Sequence, residues 1–119
     1  MKKILLIEDD PDQIRLYQMA FEQSKLNLLV ADNGQDGFKL ALSKPDLILC
    51  DIILGDVNGV ELLKKLKKNV KTKKIPVVML TNLTKKHIVQ EAQKAGALDF
   101  WDKTVVMPFR VVDKVKDMV

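Results

Sequence analysis

Five short apolar segments recur along the chain, each followed by a stretch with helical spacing, and this alternation limits the folds open to it. The segments are KILLI (3–7), LNLLVA (26–31), DLILC (46–50), IPVVML (75–80) and LDFW (98–101). They have strand length and are apolar almost throughout, the pattern of strands covered on both faces. Between them, DPDQIRLYQMAFEQ (10–23) sets Ile14, Tyr17 and Phe21 on one helical stripe, with Asp10 or Asp12 near its start. Asn33-Gly34 punctuates the second strand, and Phe38, Ala41 and Leu42 mark a short helix ending before Pro45. Asn58-Gly59 leads into VELLKKLKK (60–68), with Val60, Leu63 and Leu66 at helical spacing. Thr84 is placed to cap KKHIVQEAQKA (85–95), Gly96 to stop it, and Pro108 opens the last helix, PFRVVDKVKDMV (108–119). Strands alternating with helices predict a parallel sheet with right-handed crossovers. The expected fold is a doubly wound (βα)5 α/β domain, a three-layer sandwich with a five-stranded parallel sheet. At 119 residues the chain reads as a single domain, 1–119, with one real core.

Asp51 stands out against this pattern. It lies between Cys50 and Ile52 in a run that otherwise reads as buried strand, and an unpaired buried carboxylate is costly. In doubly wound sheets the functional site lies at the carboxyl ends of the strands. There the first strand ends in Glu8-Asp9-Asp10, the third in Asp51 and the fourth in Thr81-Asn82, and Lys103 follows the fifth. If the first and third strands are adjacent, three acids meet at one edge of the sheet, and acids this close raise each other's pKa unless a cation joins them. Hard oxygen donors favour Mg²⁺ or Mn²⁺, and the lack of a His/Cys cluster argues against zinc. Acids, a hydroxyl and a lysine together suit phosphoryl transfer, with Asp51 as nucleophile, Thr81 donating a hydrogen bond and Lys103 supplying positive charge.

Composition narrows the remaining classes. Hydrophobic residues make up 47% and charged residues 30%, which fits a globular domain and not a disordered chain. No apolar run has the length of a membrane span, and MKKILLIEDDP is too short in its apolar part for a signal peptide. Cys50 is the sole cysteine, which leaves no disulfide framework and fits a cytoplasmic location. Much of the net charge of +4 comes from KKLKKNVKTKK (64–74). This stretch has neither arginine nor aromatic residue, so it reads as a solvated helix face and not a nucleic-acid site.

At these residues the chain resembles the receiver domains of two-component response regulators, over essentially its whole length. ILLIEDDP resembles the family's first strand and acidic pocket, LILCDIILGDVNGVEL its phosphoacceptor strand and loop, IPVVMLTN the strand of the switch threonine, and GALDFWDK the strand of the switch aromatic and site lysine. The resemblance implies the flavodoxin-like strand order 2-1-3-4-5. It implies that Asp51 is phosphorylated from the phosphohistidine of a sensor histidine kinase or phosphotransfer protein, or from a small phosphodonor. It implies Mg²⁺ (or Mn²⁺) bound by Asp9, Asp51 and the main-chain carbonyl of Ile53, with Glu8 acting mostly through water. Thr81 and Phe100 would be the switch residues. The surface of the fourth helix, fifth strand and fifth helix would engage a downstream protein target or a phosphorylation-dependent dimer. The implied role is a signalling domain and not an enzyme beyond its own phosphorylation and dephosphorylation, with no room for a DNA-binding domain in these residues.

The chain departs from the family at four places. Gly55 stands where proline is usual, which predicts a more mobile loop. Asn82 follows the switch threonine where a small residue is usual. Thr104 replaces the proline after Lys103, so a cis bond there is disfavoured and the following loop is expected to take another path. Ile53 and Leu83 offer nothing to orient a water, which predicts a long-lived phosphoryl state. These departures keep a phosphorylation-independent binding module as the alternative. A dehalogenase-type phosphatase would want an Asp-x-Asp nucleophile pair on the first strand and further acids on the fourth, and flavin binding is opposed by the acids Glu8-Asp9-Asp10. Blander roles also stand: Asp10 and Asp12 as helix-start acids, His87 as solvent-facing, Cys50 as a small buried hydrophobe, and Trp101 as either core or partner contact.

Overall fold

The computed structural model describes residues 1–82 and 85–119. In chain order the elements are β1 (Lys3–Ile7), α1 (Pro11–Glu22), β2 (Asn27–Ala31), α2 (Gly34–Ala41), β3 (Leu47–Asp51), α3 (Gly59–Lys68), β4 (Val77–Thr81), α4 (Lys86–Lys94), β5 (Asp99–Asp102) and α5 (Pro108–Met118). The strands form one parallel sheet of order β2-β1-β3-β4-β5. The doubly wound (βα)5 sandwich and its strand order are as expected from the sequence.

Two apolar layers sandwich the sheet. One joins Leu5, Ile7, Ile48, Cys50, Val77 and Met79 to Ala41 of α2, Leu63 and Leu66 of α3 and Ala92 of α4. The other joins Ile4, Leu6, Leu49, Val78 and Leu80 to Tyr17 and Phe21 of α1 and Val111 and Val115 of α5. Alternation along each strand sends successive side chains to opposite layers. On β5 this decides an open question: Trp101 is only 4% exposed and packs with α1 and α5, while half-buried Phe100 packs on the α4 side. The Trp101 indole donates to Asp99 Oδ2 at 2.9 Å, and the Lys114 ammonium lies 5.1 Å from its ring centre.

Element ends differ from the expected ranges by one or two residues. β4 begins at Val77 and not at 75, since Pro76 has no N–H to give to a ladder. Asn33-Gly34, expected as punctuation, is the start of α2: Asn33 Oδ1 accepts from Asp36 N at 2.8 Å. Asp10 caps α1, its Oδ1 accepting from Asp12 N at 2.9 Å, and Asn58 caps α3, its Oδ1 accepting from Val60 N at 2.8 Å. The expected cap Thr84 lies outside the described residues. His87 is exposed and Cys50 is buried, as expected, and burial pushes the Cys50 thiol far up.

Three of the seven lysines in the lysine-rich run are tied down. Lys64 pairs with Glu61 and Glu91, each at 3.2 Å. Lys65 lies 4.3 Å from the Phe38 ring centre. Lys67 donates to the carbonyls of Lys73 and Ile75 at 3.3 and 2.8 Å, closing the turn after α3. These contacts agree with a structured, solvated face.

Candidate functional site

Strand register brings the site together. Ile7 pairs with Cys50, so Glu8 and Asp51, each one residue on, leave adjacent strands side by side. Asp51 pairs with Leu80, and Thr81 follows; Thr81 pairs with Asp102, and Lys103 follows. The sheet's twist and stagger thus carry four functional side chains to one open end.

There, Glu8 is 1% exposed, Asp51 8% and Thr81 1%. The Lys103 ammonium donates to Glu8 Oε1 and to Asp51 Oδ2, the latter at 2.9 Å. Glu8 Oε2 accepts from the amides of Asp9 and Asp10 at 3.0 and 3.3 Å. The Ile53 amide approaches Asp51 Oδ1 at 3.4 Å. Asp51 therefore ends an apolar strand without being an orphan: its charge is shared with Lys103.

Burial is the largest influence on Glu8 and raises its pKa to about 7, with Asp51 adding to the rise and Lys103 opposing it. Lys103 is pulled down by burial and pushed up by Glu8 and Asp51, with a net rise, so it stays charged. Tyr17, beneath the site in the α1 layer, is raised to about 12, chiefly by burial.

Residues expected to hold a metal do converge. One carboxylate oxygen from each of Glu8, Asp9 and Asp51 lies within 4.8 Å of the others. Asp9 is the exposed member, and Ile53 lines the same hollow of about 200 Å³, together with Thr81, Asn82 and Lys103. Three hard anionic donors beside a solvent-open hollow fit Mg²⁺ or Mn²⁺. Glu8, expected to work mostly through water, here contacts Lys103 directly. Phe100 sits away from the hollow, on the α4 side of β5. Leu83 lies outside the described residues.

Two acids that sequence reasoning missed anchor the surrounding loops. Asp56, in the loop after β3, accepts from Gly34 N and Gln35 N at 2.8 and 3.0 Å, which holds its carboxyl below the usual carboxylate range. Gly55 precedes Asp56 in the loop and is uncrowded: a Cβ there would lie 3.5 Å from Asp9 Oδ2, ordinary contact distance. Asp102 accepts from Thr104 N and Thr104 Oγ1 at 2.8 and 2.7 Å, which also lowers its pKa. An Asp two residues before a Thr is the one signal in the sequence that could have pointed to the second turn. No peptide among the described residues is cis, so Lys103-Thr104 is trans.

The family model described as the response regulator receiver domain matches residues 4–115. The chain belongs to this receiver-domain family. The receiver is 32% identical over 106 residues to the protein PilH of Pseudomonas aeruginosa, covering 88% of each chain. It is 29% identical over 116 residues to the polar-differentiation response regulator DivK of Brucella anthropi, covering 97% of this chain and 94% of that one. Against histidine kinase P4 of Formosa agariphila it is 34% identical over 111 residues, covering 92% of this chain but only 8% of the kinase. Among solved structures, the Mn(2+)-bound form of response regulator Rcp1 superposes with a TM-score of 0.87 at 26% identity, covering 98% of this chain and 93% of that one. The chemotaxis response regulator CheY4 of Vibrio cholerae gives a TM-score of 0.89 at 21% identity, covering 100% and 99%, and shares the fold.

Proposed function

We propose that this receiver is a phosphoacceptor switch in which Asp51 takes up the phosphoryl group. The observation that carries the reading is Asp51 at the open end of β3, 8% exposed, with Oδ2 2.9 Å from the Lys103 ammonium. An Asp51 carboxylate oxygen attacks phosphorus. The new O–P bond forms as the N–P bond of a phosphohistidine breaks; that nitrogen keeps the bonding electron pair, and the imidazole leaves neutral with its proton on the other ring nitrogen. With a small acyl phosphate, the bond from phosphorus to the acyl oxygen breaks and a carboxylate leaves. Lys103 neutralises charge growing on the phosphoryl oxygens, and Thr81 adds a hydroxyl donor at the same mouth. Mg²⁺ or Mn²⁺ held by Asp9, Asp51 and the Ile53 carbonyl, with Glu8 alongside, would supply further charge neutralisation. Support for that ion comes from the clustered carboxylates and from the Mn(2+)-bound relative.

The phosphodonor partner on this reading is a sensor histidine kinase or phosphotransfer protein. Phosphorylation draws Thr81 toward the new oxygens and lets Phe100 pack into the space it leaves. The surface of α4, β5 and α5 then changes shape for a downstream protein or for a second copy. Residues 1–119 act as one signalling domain in the cytoplasm, with no enzyme activity beyond its own phosphorylation chemistry. No helix among the described residues is long and apolar enough to cross a membrane.

The test is intact mass after incubation with acetyl phosphate and Mg²⁺. Wild type gains one phosphoryl group and Asp51→Ala gains none. No Mg²⁺-dependent gain, or an equal gain in Asp51→Ala, overturns the reading in favour of phosphorylation-independent binding.

A further inference from the structure

Lys103 has to be delivered to the pocket by a chain that is leaving the sheet. β5 ends at Asp102, and the Lys103 amide makes the last link to β4, donating to Thr81 O at 2.9 Å. Beyond it the backbone turns, and four hydrogen bonds converge on Asp102. Its Oδ1 accepts from Thr104 N at 2.8 Å and Thr104 Oγ1 at 2.7 Å. Its carbonyl accepts from Val105 N at 3.0 Å and Val106 N at 2.8 Å. Lys103 sits inside this bracket, its backbone held before and after.

A lysine side chain loses much rotamer freedom when its ammonium is kept at one spot, and its long stem magnifies any shift of the Cα. Yet here the ammonium meets two carboxylates with only 8% of the side chain exposed. Oriented donors help a transition state only if they are in place beforehand. A turn built by a side-chain oxygen that accepts two bonds from the residue two places on is a means of fixing the intervening Cα.

We propose that Asp102 and Thr104 are positioning residues for Lys103, setting the ammonium against Asp51 through the backbone without touching the reacting atoms. The inference rests on the phosphoacceptor reading above. It differs from a merely strand-ending role in what it leaves alone: the carboxylates that would hold the cation are on other strands.

The experiment compares Asp102→Ala, Thr104→Val and Thr104→Ser with wild type. It measures the maximal rate of phosphorylation by acetyl phosphate at saturating Mg²⁺, the Mg²⁺ affinity by calorimetry, and the melting temperature. Thr104→Val, which removes one well-made hydrogen bond, should lower the maximal rate about five- to tenfold, and Asp102→Ala, which removes both bonds to Oδ1, by at least as much. Mg²⁺ affinity should hold or rise, because a loosened Lys103 competes less well for Glu8 and Asp51, and Thr104→Ser, which keeps the hydroxyl, should restore the rate. Folded variants with wild-type rates overturn the proposal. So does a rate loss matched by an equal loss of Mg²⁺ affinity, or a Thr104→Ser as slow as Thr104→Val. If Asp102→Ala does not fold, the two Thr104 variants decide. A wild type that forms no adduct is a separate result, read before any variant, and overturns the phosphoacceptor reading as well.

Discussion

Asp56 and Gly34 lie 22 residues apart in sequence, and the carboxylate of one accepts the first backbone amide of the helix begun by the other, at 2.8 Å. The second oxygen takes the next amide, Gln35 N, at 3.0 Å. The β3–α3 loop, which carries Ile53 at the mouth of the site, is thereby tied to the positive end of α2.

Loss of this latch should free the loop. Asp56→Ala is expected to lower both the melting temperature and Mg²⁺ affinity, with Asp56→Asn between it and wild type. The acid sensitivity follows from the sign of the shift. Asp56 has a folded pKa below its usual 3.8, so its contribution is present above 3.8 and fades as pH falls through the folded value. Melting curves of wild type and Asp56→Ala should converge at low pH. A gap that persists there would count against the latch.

Glu8 predicts the opposite trend near neutrality. Its carboxyl rises from 4.5 to about 7 in the folded, metal-free protein, mainly through burial. A group with a raised folded pKa contributes stability that is present below 4.5 and lost as pH rises through about 7. Urea unfolding without divalent cation should therefore show stability falling between acid and mildly basic pH. Glu8→Gln should flatten that slope, and an unchanged slope in the variant would refute the assignment.

Gly59 is held by contact with the phosphoacceptor strand itself. A Cβ there would lie 2.0 Å from the Asp51 carbonyl oxygen and 2.7 Å from Ile52 Cα. Backbone cannot yield as a flexible side chain can, so Gly59→Ala should cost about 3 kcal/mol of stability, at the upper end of overpacking effects. Denaturant unfolding at one pH suffices to check it. The neighbouring Gly55→Ala meets only ordinary contact distance and should be far milder.

The phosphoryl lifetime should be long. Ile53 is 57% exposed at the mouth of the hollow and has no polar atom in its side chain to orient a water. Phospho-Asp51 should persist for minutes or longer, and Ile53→Asn should shorten its life about tenfold, the effect of one added hydrogen bond to the attacking water. Decay of the adduct by intact mass is the measurement, and a wild-type lifetime of seconds would rule the idea out.

The apolar runs and their helical partners were readable because a two-sided parallel sheet imposes continuous hydrophobicity, a local pattern. Asp51 was readable for the same reason, as the exception to it. Trp101 was not, since one residue's shift along β5 exchanges the two layers and the register comes from the whole sheet. The latch from Asp56 to Gly34 was hidden because its partners are backbone amides far along the chain, which have no residue-type signature. The Asp102 turn had a signature, but a weak one, common in loops with no such task. That Lys103 would reach Glu8 as well as Asp51 depends on stagger between three strands, beyond what spacing alone reveals.

The pairing at Glu8 has one more consequence. Its two oxygens are already engaged by donors of the protein's own, Lys103 on one side and the Asp9 and Asp10 amides on the other. The acidic pocket thus has a resident counter-ion. It can rest in an idle position, its charge partly offset from within, and a visiting cation or anion arrives as a competitor for bonds that already exist. Readiness and occupancy become separate states of the same few side chains, and the lysine is the part that changes allegiance between them.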